Sequence, residues 1–431
     1  MNDLASSAHD TSAERHAARR AALACMVTLA VALGIGRFAF TPLLPLMLHG
    51  SVFGQPQIDI QHGGWLASFN YAGYFVGALT CAALRVEPAR MVRMGLVATV
   101  LLTLAMGVTS QFWLWALVRF VAGAISAWTF VFASQWGLRR LAELGAHGWG
   151  GVIYTGPGVG IVGTGLLVSA ASGYGAMVGW IGFGLIAAIL SAVVWPAFGT
   201  VTHIVSGGAA AATGKASAAN QSSASPAAGQ RAPTRHPRHR ADAFWLVLLY
   251  GVPGFGYIIT ATFLPVIARH ALPGSPWPDL FWPMFGAALI VGALLAARLP
   301  VHWDNRTLLA GCYVLQAGGI ACGIVWPTAG GFSLGSILIG LPFTAITLFA
   351  MREARRLHGD NAAGLMGYAT AAYGVGQIIG PLVAAPIAEH TGSFSPALWL
   401  ATGALLLGAA GLTIVAHIPR GRGRMPDCGC N

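Results

Sequence analysis

Arg37 and Arg119 stand inside long apolar runs, and each needs a physical reason to be there. A charged side chain at mid-membrane depth costs about 2.5–3.5 kcal/mol on insertion scales. Counting back from the outer ends of their runs at about 1.5 Å per residue puts Arg37 roughly 15 Å deep and Arg119 roughly 10 Å deep. A guanidinium in such a place has two uses. It attracts an anionic group in a cavity, or it bonds backbone carbonyls that the helices leave free. On a helix, Arg37 shares a face with Thr41, and Arg119 shares one with Gly123 and Ser126. For Arg119 the bracing role leads, with carbonyls near Gly34, Gly36 and Pro42 as partners. For Arg37 the anion-attracting role leads.

The types that are missing matter equally. No Asp, Glu or His lies deep in an apolar run. Proton-coupled carriers usually relay through an embedded carboxylate or His. A chain that carried a solute without such a relay would do so facilitatively, or with a proton on the solute's own acid group. An intramembrane protease or lipid-linked transferase needs a paired acid, a Ser with His, or a metal motif. None is in the apolar runs, so the sequence argues against an enzyme. No metal or cofactor is expected.

Neutral polar groups complete the candidate site. Asn70 and Tyr74 share a helical face with Gly73 and Gly77, Tyr154 shares one with Gly158, and Tyr373 shares one with Gln377. Together with Arg37 and Tyr257 they are the candidates for lining a substrate cavity. The competing role for each is hydrogen bonding between helices, worth about 0.6 kcal/mol on average. That role is the better one for Gln316 and the embedded threonines.

These residues must be positioned by membrane-spanning elements. Of the 431 residues, 56% are hydrophobic and only 9% charged, against about 25% charged in soluble proteins. The formal charge of +11 does not point to nucleic acid, because the basic residues sit in short pieces between apolar runs. About 20 apolar residues make one helical crossing, and no alternating barrel pattern is present. The sequence predicts twelve spans. The first six are 21–48, 63–84, 94–111, 113–137, 149–171 and 174–198. The second six are 243–268, 281–297, 307–325, 331–351, 364–387 and 396–417. Alternate loops carry nearly all of the 24 basic residues, the exceptions being Arg37 and Arg119 inside spans and Arg269. The positive-inside rule then places both termini in the cytoplasm of a multi-pass protein of the cytoplasmic (inner) membrane.

The organisation read from the sequence is a cytoplasmic tail over residues 1–20, a six-helix half over 21–199, a disordered linker over 200–242, a second six-helix half over 243–418 and a tail over 419–431. The linker is rich in Ala, Gly, Ser and Pro and has no periodicity. The two halves repeat. "GIGRFAFTPLLP" from Gly34 to Pro45 matches "GFGYIITATFLP" from Gly254 to Pro265. "GYFVGALTCAAL" from Gly73 matches "ALIVGALLAARL" from Ala288, and "GVG" recurs at Gly158–Gly160 and Gly374–Gly376. Each match is six spans from its partner, as parallel duplication requires.

The chain resembles a major facilitator superfamily transporter of the YbfB/YjiJ type. The resemblance rests on "GIGRFAFTPLLPLM" at Gly34–Met47, "NYAGYFVGAL" at Asn70–Leu79 and "GVGQIIGP" at Gly374–Pro381. The superfamily's Arg and Gly four residues apart stand here as Arg119 and Gly123, although Ala122 replaces the usual polar residue. The resemblance implies an all-α membrane protein of the major facilitator fold, twelve transmembrane helices in two pseudo-symmetric halves. It also implies a secondary transporter of a small molecule working by alternating access. Structural or gating roles are expected for Arg119, Gly123, Gly34, Gly36, Pro42, Pro45, Gly73, Gly77, Gly158, Gly376 and Pro381. The loop after the second span departs from the family's Asp-Arg latch pattern, with Glu87 its only acid. The embedded arginines favour an anionic organic solute, with efflux of apolar or drug-like compounds as the alternative. The expected partners are that solute and the lipid bilayer, with no nucleic acid and a monomeric chain.

Overall fold

A computed structural model describes residues 2–49, 57–199, 237–300, 302–358 and 362–417. Its helices follow the expected order: α1 (Glu14–His49), α2 (Ile60–Thr80), α3 (Pro88–Val108), α4 (Phe112–Glu143), α5 (His147–Ala170), α6 (Gly175–Phe198), α7 (Ala241–Ala271), α8 (Pro278–Ala296), α9 (Asn305–Val325), α10 (Ala329–His358), α11 (Gly364–Thr391) and α12 (Ser395–His417). Among the described residues, all but α2 are both long and apolar enough to cross a membrane. α2 fills its place in the order with 21 residues. Large apolar side chains face outward, among them Leu101, Leu117, Ile189, Val193 and Leu407. That surface suits hydrocarbon rather than water.

Two expectations change in extent. The chain is helical from Asn2, so the tail expected over 1–20 continues the first helix backward. The linker expected over 200–242 lies outside the described residues except for its end, which belongs to the helix that begins at Pro237. The tail over 419–431 lies outside the described residues altogether.

α1 also departs from a regular α-helix. Ala30–Phe38 winds as a π-helix with every residue buried, and an α-helix resumes over Phe40–His49. Widened segments inside α-helices are frequently found at functional sites. The sequence explains why this one is tolerated. Pro42 offers no N–H to the preceding turn, and Gly34 and Gly36 remove the side chains that would block neighbouring helices.

The repeated glycines make the same contact in each half. In the first half, a Cβ on Gly160 of α5 would lie 2.6 Å from Gly34 Cα of α1. In the second, a Cβ on Gly376 of α11 would lie 2.7 Å from the Phe255 nitrogen of α7, beside Gly254. Gly77 of α2 lies against the Ala124 carbonyl of α4, and its counterpart Gly292 of α8 lies against the Leu341 carbonyl of α10. Such backbone approaches admit only glycine, and membrane helices associate through them.

The other glycine of each "GVG" serves the junction between halves. A Cβ on Gly158 would lie 2.6 Å from Ile290 of α8, and one on Gly374 would lie 2.8 Å from Phe75 of α2. The halves therefore meet along α5–α8 and α2–α11. Contacts continue toward the end remote from the linker, where Thr41 donates to the Ala261 carbonyl at 2.8 Å and Gln61 bonds Glu389. Toward the linker end, Val76, Leu79 and Thr80 of α2 and Gly367, Tyr368 and Thr370 of α11 are exposed. The halves are bonded to each other toward the remote end; at the linker end these residues of α2 and α11 are exposed, while Gly151 of α5 still lies beside Leu294 and Ala297 of α8.

Candidate functional site

Arg37 is the second-last residue of the π-helical segment and reaches across the junction between the halves. Only 4% of it is exposed. Its Nη2 donates to Oε1 of Gln377 on α11 at 3.0 Å. The Cζ atom lies 4.0 Å from the centre of the Tyr74 ring and 5.1 Å from that of Tyr71, both on α2. Desolvated cation–π contacts of this kind contribute about 2 kcal/mol or more. No carboxylate pairs with Arg37 among the described residues, and its Nε has no hydrogen-bond partner there. The guanidinium is thus held by neutral groups alone, in a position that favours an incoming anion.

Gln377 orders the second half of the site. Its Oε1 accepts from Arg37, which leaves Nε2 to donate to the Tyr257 hydroxyl on α7. Tyr257 and Tyr373 stack with ring centres 6.0 Å apart, and Tyr373 stacks on Tyr250 at 5.0 Å. The Tyr250 hydroxyl donates to Thr347 of α10 at 3.1 Å. Arg37, Gln377 and Tyr257 are buried, Tyr74 and Tyr373 are partly exposed, and Thr347 is exposed. The site deepens from Thr347 to Arg37.

Arg119 has a different setting. It is 2% exposed, with Nη1 donating to the Gly36 carbonyl at 3.3 Å and Nη2 to the Arg37 carbonyl at 3.2 Å. Its Cζ lies 4.7 Å from the Phe40 ring centre. It braces the widened turn of α1, with carbonyls of the expected stretch as partners. Gly123 lets α4 approach α2, since a Cβ there would lie 2.7 Å from the Tyr74 nitrogen. Gly73 meets Phe120 of α4 in the same way. Pro42 borders a small cavity with Pro265 and Trp282, Pro45 lies within the last segment of α1, and the Pro381 carbonyl approaches Gly64 of α2.

Of the seven expected lining residues, the structure brings together Arg37, Tyr74, Tyr257, Tyr373 and Gln377. Two stand apart. Asn70 is fully buried and donates to the Arg119 carbonyl at 2.8 Å, so it joins α2 to α4. Tyr154 sits at the break of α5 and meets Phe130 at 6.2 Å between ring centres. Two site residues were not foreseen, Tyr71 and Tyr250. Tyr71 lies three residues before Tyr74, an alternative helical spacing to the four that selected Asn70. The Tyr71 hydroxyl also bonds Thr262 of α7 at 2.9 Å, across the junction.

Residues 29–413 match a sequence family described as "Uncharacterised MFS-type transporter YbfB". The chain belongs to that family. It is a membrane transporter of the major facilitator superfamily and not an enzyme. In fold, this YbfB-type transporter is similar to the crystal structure of a variant of the nucleoside transporter NupG. The TM-score is 0.66 at 14% identity, covering 92% of this chain and 99% of the other. It is also 29% identical over 203 residues to a chloramphenicol efflux pump of Mycobacterium tuberculosis. That match covers 44% of this chain and 47% of the relative, so the chain spans about half the length of the curated relative it matches.

Proposed function

We propose that the protein is a secondary transporter of a small organic anion in the cytoplasmic membrane, with both termini cytoplasmic. The observation that carries this reading is Arg37, buried at the junction of the halves with no carboxylate partner among the described residues. An incoming carboxylate takes Nη2 from Gln377 in a bond with both partners ionised, which is stronger than the bond to the neutral amide oxygen it replaces. Gln377 belongs to the second half and Arg37 to the first, so the exchange changes a contact between halves. Alternating access needs such a link between occupancy and the junction. With no acid deep in the apolar runs, transport is facilitative or the substrate brings its own proton. The protein acts as a monomer, since both halves of the site lie in one chain.

Uptake screening of a deletion strain against a panel of organic acids tests the proposal. One acid should be transported in an Arg37-dependent way; transport of a cation alone would end it. Single-Cys labelling of intact cells at Ser51 and Ser223 tests the orientation. Ser51 should label and Ser223 should not.

A second reading is supported by the partial likeness to the chloramphenicol efflux pump and by the aromatic walls of the site. Under it the protein exports uncharged drug-like compounds. Substrates whose export survives Arg37→Gln would favour it.

A further inference from the structure

We infer that the substrate is a planar aromatic carboxylate, not an aliphatic one. The inference rests on the anion reading of Arg37 and adds the shape of the part remote from the charge. Tyr250, Tyr373 and Tyr257 form a stack in which Tyr373 lies between the other two. The ring planes differ by 27° on one side and 22° on the other. Phe343 meets Tyr257 edge-on at 5.1 Å. Tyr74 turns its ring face to Arg37 at 4.0 Å. Tyr74 and Tyr373 are the partly exposed members. A molecule entering there meets the edge of the Tyr373 ring and the Tyr74 ring first, with the guanidinium behind them.

The Gln377 amide and the Tyr250 hydroxyl beside the stack are already engaged. Both ends of the Gln377 amide are bonded, and Thr347 accepts from Tyr250. This is a poor setting for a sugar or other polyol, whose hydroxyls need several free donors and acceptors. A flat ring sets its face against the Tyr373 edge in the T-shaped contact that aromatic pairs favour, while a puckered saturated ring does not. The charge and the ring together call for a carboxylate attached directly to, or one carbon from, an aromatic ring.

Four probes on the purified full-length protein separate the parts of this inference: benzoate, cyclohexanecarboxylate, benzyl alcohol and acetate. Binding is read by thermal shift and by titration calorimetry. Benzoate should bind roughly tenfold more tightly than cyclohexanecarboxylate, the ratio that an aromatic contact of this strength gives. Benzyl alcohol and acetate should bind more weakly than either. The Tyr373→Leu variant, checked for an unchanged melting profile, should bring the affinities for benzoate and cyclohexanecarboxylate close together. Equal binding of benzoate and cyclohexanecarboxylate by the wild type overturns the aromatic inference and leaves the anion reading standing. Benzyl alcohol binding as well as benzoate overturns the anion reading itself. Absence of any benzoate binding overturns the aromatic inference.

Discussion

Arg37 and Tyr257 stand at equivalent places in the duplicated halves, three residues after Gly34 and Gly254, and they meet on one amide, that of Gln377. The two halves therefore share a symmetric frame with asymmetric chemistry at its centre. Arg37→Tyr would make the two positions identical. Gln377→Glu tests the centre more sharply, because it places a carboxylate where Oε1 now sits 3.0 Å from Nη2. The resulting buried pair should occupy Arg37 and compete with any anion. We expect anion affinity to fall by about tenfold or more while the folded protein persists, which corresponds to about 1.4 kcal/mol or more. Calorimetry with the transported acid checks it.

Arg119→Gln should act on folding rather than on binding. The variant loses the donors to the Gly36 and Arg37 carbonyls in a buried setting. Each carbonyl left unsatisfied costs about 1–3 kcal/mol. The yield of monodisperse protein and its melting temperature should both drop. A variant with normal yield and lost transport would mean that Arg119 serves the substrate.

The two glycines of each "GVG" predict two different phenotypes. Gly160→Ala and Gly376→Ala push into a backbone of the same half and should lower stability by about 1–3 kcal/mol or more, as overpacking does. Gly158→Ala pushes against Ile290 and the Gly286 carbonyl of the other half. It should spare the fold of each half and disfavour the arrangement bonded at the remote end. Accessibility labelling of a Cys placed at Ser68 should then increase. Gly163→Ala, with open space around its Cβ, is the control and should be silent in both assays.

A buried charge cluster at the linker end of the second half gives a fourth test. Glu353 is fully buried and accepts from Arg306 Nε at 2.7 Å and from Arg356 Nε at 2.7 Å. Arg306 also pairs with Asp242 at 2.8 Å and donates to the Val415 carbonyl at 3.0 Å, so the cluster ties α7, α9, α10 and α12 together. In the first half Trp136 packs on Phe198 at the linker end. Glu353→Gln leaves the buried Arg306 charge with Asp242 alone and should destabilise by up to about 3–5 kcal/mol. Arg356→Gln should cost less, because that side chain is 39% exposed. Melting of the two variants side by side checks the order.

The spans and the repeat were legible because each rests on a local pattern. An apolar run of about 20 residues predicts a crossing whatever it packs against. The paired "GVG" predicts a close approach because glycine has no other strong reason to recur there. Arg37 was legible because embedded charge is costly. Tyr71 was not, because Asn70 and Tyr74 at four-residue spacing offered an equally good face, and only the fold shows that Asn70 turns to α4. The π-helical segment was hidden for a similar reason. Pro42 and the glycines permit it, but the Arg119 bonds that support it come from 82 and 83 residues away in sequence. Glu353 read as a residue at a span end, and its burial depends on three other helices.

The most direct measurement is ligand binding to Arg37→Gln. Wild type, Arg37→Lys and Arg37→Gln are purified and titrated with the organic acid that stabilises the wild type, alongside uptake in cells. Lys keeps the charge but loses the planar two-pronged geometry, so Arg37→Lys should bind more weakly. Arg37→Gln should show no ligand-dependent thermal shift and almost no uptake, with normal expression and an unchanged melting profile without ligand. If Arg37→Gln binds the acid as tightly as wild type, Arg37 is a structural residue and the anion account fails.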